Sequence, residues 1–402
     1  MTNKHYAIIG GGINGLAVAR QILLDFPDAK VTVFEKENAV AQHQSSHNSG
    51  VVHAGLYYEP GGLKARLCRR GAELVQQFCA EHDVAYDECG KVVVALSKEE
   101  ESRLDTIFQK SLANQVPDVR MLNASEIQDV EPNCIGTKAL YSPRTAIVSY
   151  GAIACKIAEE IKLKGGEIVL GQKVVRLTEK NNKVSIHFEN NEHYSTVFDY
   201  VVACAGLQSD RLAAQSGDIE TPKIVPFFGQ YYVIDEQFKS HVKGLIYPVP
   251  DPKYPFLGVH FTKRIDGQMT IGPNAFISFG RENYSGKKFN ISDIYDFLTY
   301  KGFWKFSSKN MPAAMRELRT VLSQTNFVAE AAKYVPSLSN VSVTPATRGI
   351  RAQAMESDGS LVDDFVIRKQ GNITHIRNAP SPGATSSLAI AEYIVREVMT
   401  HD

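Results

Sequence analysis

The sequence predicts an α/β protein with a second, α+β domain, and three stretches carry that prediction. Residues 5–36, HYAIIGGGINGLAVARQILLDFPDAKVTVFEK, read as strand, glycine turn, helix and strand. Residues 199–213, DYVVACAGLQSDRLA, run from an apolar strand through a small-residue turn into another helix. Residues 225–290 give short strands rich in tyrosine, phenylalanine and proline, which suit a mixed or antiparallel sheet better than further parallel units.

In the first stretch, Tyr6 to Ile9 is a short apolar run with β-branched residues, as in a strand buried on both faces. Gly10, Gly12 and Gly15 follow as GxGxxG. The first glycine permits the tight turn, the second lets backbone approach a pyrophosphate, and the third lets the next helix pack on the sheet. The helix start offers free N–H groups and a positive dipole end. Val31 to Phe34 forms the next strand, ending at Glu35 and Lys36, where an acid can accept hydrogen bonds from an adenosine ribose. A glycine turn in an ordinary βαβ unit would explain the glycines but not Glu35. The expectation is a Rossmann-like dinucleotide-binding domain.

A chain of 402 residues exceeds one compact core and predicts two domains, interleaved in sequence. Its 44 basic and 44 acidic residues cancel, which gives no electrostatic case for nucleic acid as a partner. No apolar run approaches the roughly 20 residues that span a bilayer, and a strand begins within a few residues of Met1. Six scattered cysteines without a CxxC pair predict free thiols in a reducing cytoplasm.

Residues 41–58, AQHQSSHNSGVVHAGLYY, break the βαβ pattern with loop chemistry. Ser45, Ser46, Asn48, Ser49 and Gly50 offer hydroxyls, an amide and accessible backbone to a phosphate, a ribityl chain or a flavin edge. His43, His47 and His53 lack a carboxylate or cysteine at ligand spacing, so no metal is expected. Residues 63–82 read as an amphipathic helix, 91–96 as a strand, and 97–116 as a charged helix opened by Ser97. The proline-bearing segment 125–150 reads as a passage back to the first domain. A helix at 149–164 ends at Gly165 and Gly166, followed by a strand at 167–171 and a hairpin at 173–189 turning on NNK.

Ala205 and Gly206, at the end of a strand returning to the nucleotide domain, bring backbone close to a cofactor. The strands of 225–290 form the floor or wall of a substrate site, with His260 in the alternating GVHF. Residues 291–323 read as mostly helical. Within them, FLTYKGFWKFSSK at 297–309 sets Trp304, Tyr300, Phe303 and Phe306 among three lysines. That mixture suits either a bilayer interface or packing on the neighbouring domain. Near the end, Arg348 and Arg351 fall in TRGIR at 347–351. NAPSPGATSS at 378–387 precedes a closing helix, where backbone N–H groups can face an electron-rich ligand.

These motifs together resemble the FAD-dependent D-amino-acid oxidase-like superfamily, and within it the family that oxidises L-2-hydroxyglutarate. HNSGVVHAGLYY at 47–58, LKARLC at 63–68, GVHF at 258–261, IGPNA at 271–275 and RNAPSPGATSSLAI at 377–390 carry the resemblance. It implies an FAD-binding domain from 1–90, 145–220 and 340–402, and a substrate-binding domain from 91–144 and 221–339. It implies that Arg351 grips the substrate carboxylate, a role suited to a bidentate fork that keeps its charge. FAD contacts are expected from Gly10, Gly12, Gly15, Glu35, Lys36, Ser46, His47, Asn48, Ser49, Val174, Ala205, Gly206, Pro382, Gly383, Ala384, Thr385 and Ser386.

The expected reaction is oxidation of a small 2-hydroxy dicarboxylate, L-2-hydroxyglutarate, to 2-oxoglutarate. Hydride leaves the carbon for flavin and a base takes the hydroxyl proton, a natural role for histidine. Of His47, His53 and His260, a strand histidine facing the flavin is favoured, which makes His260 the base, with His53 also catalytic. Lys263, Arg264 and Lys287 are unranked candidates for the distal carboxylate. With one nucleotide fingerprint, electrons are expected to pass to a quinone or oxygen, the former at the inner membrane's cytoplasmic side through 297–309. An amine or amino-acid oxidase, and an FAD-binding redox protein without turnover, stay open as alternatives.

Overall fold

A computed structural model of the chain describes residues 4–253, 258–287, 289–311 and 323–399. Its first sheet has six strands in the order Val366–Gln370, Ile373–Asn378, Tyr200–Ala203, His5–Ile9, Lys30–Phe34 and Glu167–Val169. All neighbours are parallel except the first two, which form an antiparallel edge. Successive side chains alternate between two cores, as a pleated strand requires. Tyr6, Ile8, Val31, Val33 and Val202 meet the helices Ile13–Asp25, Tyr150–Leu163 and Ser387–Tyr393 on one face. Ala7, Ile9, Phe34 and Val201 meet a small antiparallel sheet on the other. That small sheet contains the expected hairpin, Val174–Lys180 and Lys183–Phe188, and Asn181 and Asn182 turn it with φ of 53° and 57°.

The second sheet has nine strands. In order these are Phe276–Ile277, Lys223–Ile234, Met269–Gly272, His260–Lys263, Leu245–Pro248, Lys91–Ala95, Lys138–Ser142 and Arg120–Asn123, with Val343–Met355 also paired to Lys223–Ile234. Only Leu245–Pro248 and Lys91–Ala95 run parallel, so the sheet is mixed. Two expectations change here. The resemblance puts Val343–Met355 in the nucleotide-binding part, yet this strand pairs along its length with Lys223–Ile234 in the larger sheet. The segment 125–150 is more than a return passage, because Lys138–Ser142 is a member of that sheet and only Ala146–Val148 turns back to pair with Val51–Val52.

The helix Lys98–Ala113 starts as its sequence predicts: Ser97 Oγ accepts from Glu100 N, and three acids fill its first turn. The region 291–311 forms two helices, Ile291–Leu298 and Lys301–Lys309. The remainder of the helix expected to 323 falls at 312–322, outside the described residues.

The glycine turn closes the first sheet onto its helix. A Cβ at Gly15 would run into Gly10 O, and one at Gly10, where φ is +108°, into Cys204 O. Gly15→Ala is therefore expected to destabilise by overpacking, by about 1–3 kcal/mol. Equilibrium urea unfolding checks this, and an unchanged midpoint would refute the close-approach explanation.

Candidate active site

A cavity of about 1300 Å³ lies between the two sheets, lined by the glycine turn at one end and by the larger sheet at the other. Small-ligand sites run to roughly 1,000 Å³, so there is room here for a dinucleotide and a substrate together. At the nucleotide end the helix Ile13–Asp25 has no side-chain cap on its N-cap residue Gly12. Ser45 Oγ accepts from Ile13 N at 2.9 Å, and Asn14 Oδ1, at the cavity wall, is buried without a partner. Glu35 braces the turn: Oε2 accepts from Gly11 N at 2.6 Å and Oε1 from Glu37 N at 2.8 Å. Lone pairs remain on that carboxylate for ribose hydroxyls. A helix start whose own N-cap residue offers no side-chain cap, an orphaned amide oxygen and an acid at the second strand end fit FAD.

Lys36 lines the same end and bonds Glu37 at 2.5 Å and Glu282 at 2.9 Å. Burial favours its neutral form, but the bonds and charges of the two glutamates outweigh that and raise its pKa. Glu37, His43 and Glu282 come close enough to share an ion. With Lys36 already between the carboxylates, the cluster is an ion-pair network.

Most of the expected cofactor contacts line the cavity: Gly10, Gly12, Gly15, Glu35, Lys36, His47, Asn48, Ser49, Val174, Ala205, Gly206, Pro382, Gly383, Ala384 and Thr385. Ser46 and Ser386 do not, and two local bonding patterns explain the difference. Ser45, one residue earlier, caps the nucleotide-binding helix, while Ser46 Oγ packs toward Gly151. Ser386 is fully buried behind the last turn, where its N–H donates to Pro382 O. Gly383 N likewise donates to Pro380 O, so these two amides are committed within the turn rather than aimed at a ligand. Asn48 also holds its own loop together, since its Nδ2 donates to Gln44 O and Ser45 O and its Oδ1 accepts from Gly50 N. Thr385 ties together three separate segments of the nucleotide part, bonding Tyr150 Oη at 2.8 Å and accepting from His53 N at 3.2 Å.

His260, His53 and Arg351 all line the cavity. His260 is buried, with Nδ1 3.0 Å from Gly258 O. A carbonyl only accepts, so Nδ1 carries the proton and Nε2 keeps its lone pair. Burial pushes the His260 pKa down to about 3, with Lys91 adding to the effect. His53 is also lowered to about 3, by burial and by the charges of Lys91, His260 and Lys64; its Nε2 lies 3.4 Å from Ser381 Oγ. Arg351 pairs across the ladder with Phe227, and its exposed surface is cavity wall within the protein interior. Tyr231, Asp363 and Tyr58 contribute to its electrostatics, but burial dominates and lowers its pKa. The arginine still carries its charge at neutral pH.

Sequence reasoning missed several neighbours. Tyr231 lies on the cavity near Ser49 and Arg351, and burial raises its pKa, leaving a hydroxyl donor. Tyr247 stacks on His260 with ring centroids 3.9 Å apart. Asn274 lines the wall with Oδ1 accepting from Gln230 N at 3.0 Å and Nδ2 unpaired. Among the distal-carboxylate candidates, Lys263 is engaged by Asp87 at 2.8 Å and Arg264 by Asn48 O at 3.2 Å, and neither they nor Lys287 line the cavity. Arg348 is also off it, its guanidinium 4.2 Å from the Phe228 ring centroid.

Behind this wall sits Lys91, only 2% exposed. Burial lowers its pKa to about 7, and no carboxylate among the described residues forms an ion pair with it. A lysine whose folded pKa lies below its unfolded value penalises the fold fully at and below the folded pKa, and the penalty fades as pH rises toward 10.5. Lys91→Met is therefore expected to stabilise the protein at pH 7, with roughly 5 kcal/mol as the ceiling set by the shift. Its advantage should shrink between pH 7 and 10. Urea unfolding across that range checks this, and a variant less stable than the parent at pH 7 refutes it.

The FAD dependent oxidoreductase (DAO) family model matches residues 5–397. The chain is 43% identical to "L-2-hydroxyglutarate dehydrogenase, mitochondrial" of Caenorhabditis briggsae, covering 98% of this chain and 92% of that protein. Against the Homo sapiens protein of that name, identity is 40% over 97% and 88%. Against L-2-hydroxyglutarate dehydrogenase of Escherichia coli K12 it is 38% over 98% and 93%. An FAD-bound L-alpha-glycerophosphate oxidase from Mycoplasma pneumoniae superposes with a TM-score of 0.79 at 21% identity, covering 100% of this chain and 96% of that one. Glycine oxidase from Geobacillus kaustophilus does so at 0.73 and 16% identity, with the same coverage. A glycine-turn nucleotide site facing a cavity-lining arginine and a buried histidine, on this fold and in this sequence, places the chain in the DAO family of FAD-dependent oxidoreductases, within its L-2-hydroxyglutarate dehydrogenase branch.

Proposed function

We propose that the chain oxidises L-2-hydroxyglutarate to 2-oxoglutarate with bound FAD as the immediate oxidant. The observation that carries this reading is one cavity holding the nucleotide fingerprint at one end and Arg351, Tyr231 and His260 at the other. Arg351 takes the C1 carboxylate in a charge-assisted fork, and the Tyr231 hydroxyl supports it. His260 Nε2 accepts the C2 hydroxyl proton. Burial disfavours imidazolium in the protein alone. An entering dicarboxylate adds negative charge that strengthens the base. Bound FAD supplies the two-electron acceptor for the hydrogen on C2. His53, bridging to Ser381, borders the same space and is the second catalytic candidate. Asn274 Nδ2, a neutral donor in need of a partner, is assigned to the distal carboxylate. The cavity-lining residues of the expected FAD set hold the cofactor.

The electron acceptor is assigned to a quinone at a membrane surface, with oxygen as the alternative. No described helix is long and apolar enough to cross a bilayer. Phe297, Tyr300 and Phe306 pack inward, as the domain-packing reading of 297–309 requires. Phe289 (70% exposed), Ile291 (83%), Tyr295 and Trp304 (57%) face outward, with Lys301, Lys305 and Lys309 among the exposed residues. Apolar side chains mixed with lysines favour peripheral contact with lipid. Asp296, on the same helix as Ile291 and Tyr295, lines the cavity, so this surface lies close to the site.

Anaerobic mixing of the flavin-loaded protein with L-2-hydroxyglutarate tests the reading. Bleaching by the L isomer, and not by the D isomer or glycine, is expected; bleaching by an amine alone sinks it. His260→Ala should slow flavin reduction by roughly 10²–10⁴-fold. Asn274→Asp keeps the acceptor for Gln230 N but replaces the donor, and should raise KM for L-2-hydroxyglutarate by roughly 10-fold or more. An unchanged KM would remove Asn274 from the site.

A further inference from the structure

Lys91 occupies a strand, Lys91–Ala95, whose other residues are valines and an alanine, all buried. It shares a strand face with Val93 and Ala95 in an apolar cluster. Its Nζ lies 3.9 Å from the centroid of the Tyr247 ring and 4.8 Å from that of Tyr57. The same Tyr247 ring also stacks on His260, with ring centroids 3.9 Å apart. These two spacings put the ammonium within about 8 Å of the imidazole. A buried cation without a carboxylate partner is costly to the fold, and aromatic faces recover part of that cost. Breaches of this kind concentrate at functional sites.

The geometry points to Lys91 as a positioning residue for the reaction: its ammonium, fixed behind Tyr247, sets a positive potential that opposes a proton on His260 and holds the base free for substrate. This rests on the proposed oxidation. The groups facing this centre are few. Tyr57, Tyr247 and Cys68 surround Lys91, and Cys68, like both tyrosines, is held in its neutral form by burial. His53 lies near enough to Lys91, His260 and Lys64 to feel all three charges. Lys64 is bonded to Asp363 at 2.8 Å, so its charge is compensated where that of Lys91 is not. Arg351 and Tyr231 border the cavity across from this group. As pH falls, Lys91 is already protonated before His260 takes a proton. Its charge is therefore present over the range where the base would be lost.

The decisive comparison is among the parent, Lys91→Met and Lys91→Arg, each loaded with flavin. In Lys91→Met the acid limb of the flavin-reduction rate should move up by about one pH unit, a loss near tenfold at a pH on that limb. Lys91→Arg, which keeps the charge, should restore the parent profile. NMR of 15N-histidine-labelled protein, without substrate, reads the same effect directly: the His260 nitrogens should titrate at higher pH in Lys91→Met. An unmoved titration, or an equal move in Lys91→Arg, overturns the inference. Should Lys91→Met not fold, Lys91→Gln makes the same comparison. The titration is independent of turnover, so an absence of bleaching by L-2-hydroxyglutarate would strike the proposed oxidation alone.

Discussion

The ladder between Lys223–Ile234 and Val343–Met355 is the constraint on which the rest of the site depends. It sets Phe227 opposite Arg351 and Gly229 opposite Gly349, with a register shift between Gln230 and Tyr232. A one-residue slip would turn Arg351 to the opposite face. The paired glycines serve close approach. A Cβ on Gly349 would come 2.9 Å from His47 O, and one on Gly229 2.7 Å from Pro273 Cβ. The loop that borders the nucleotide and the turn that carries Asn274 are therefore both seated against the same two strands. Position at the substrate end and position at the flavin end are one geometric fact.

Charge is handled in two opposite ways in this fold. Arg281, buried, bonds Asp210 and Asp296, its backbone N–H reaches Asp293, and Arg211 bonds Asp293 and Asp296 in turn. The arginine charge and desolvated acids compensate each other: burial raises the Asp210 pKa, but the charge and bonds of Arg281 outweigh it and lower the pKa. This network ties the helix Ser209–Gln215 of the nucleotide part to Ile291–Leu298 of the other. Behind the cavity wall, by contrast, Lys91 lies against the Tyr247 and Tyr57 rings with no carboxylate ion pair among the described residues, and the two histidines stay neutral. Paired ions hold the frame, and an uncompensated positive potential faces the place where a dianion would bind.

The nucleotide half was legible because its signals are local. Gly10, Gly12, Gly15 and Glu35 act within a stretch of 26 residues, Ser97 caps its own helix, and Asn181 and Asn182 turn their own hairpin. His260 and Arg351 were readable as candidates from their motifs. What could not be read is what long-range pairing decides. Lys91 opens an ordinary strand, KVVVA, and becomes unusual only when Leu245–Pro248 brings Tyr247 beside it. Tyr231 and Asn274 gain meaning only from the ladder and the turn packed on it. The membership of Val343–Met355 in the larger sheet followed a partner more than a hundred residues away. Ser45 rather than Ser46 faces the glycine turn because of a loop twist that composition does not encode.

The order of strands in the first sheet has a consequence for how this protein is made. Tyr200–Ala203 is flanked by His5–Ile9 on one side and by Ile373–Asn378 on the other. The chain leaves that sheet, builds most of the second, and returns only near its end. A nascent chain on the ribosome therefore exposes an unfinished parallel edge until Ile373–Asn378 has been synthesised, and such late, distant pairings fold slowly. A chain that stopped before Ile373 would not yield a smaller flavoprotein. It would yield a sheet with an open seam, a substrate for chaperones and proteases.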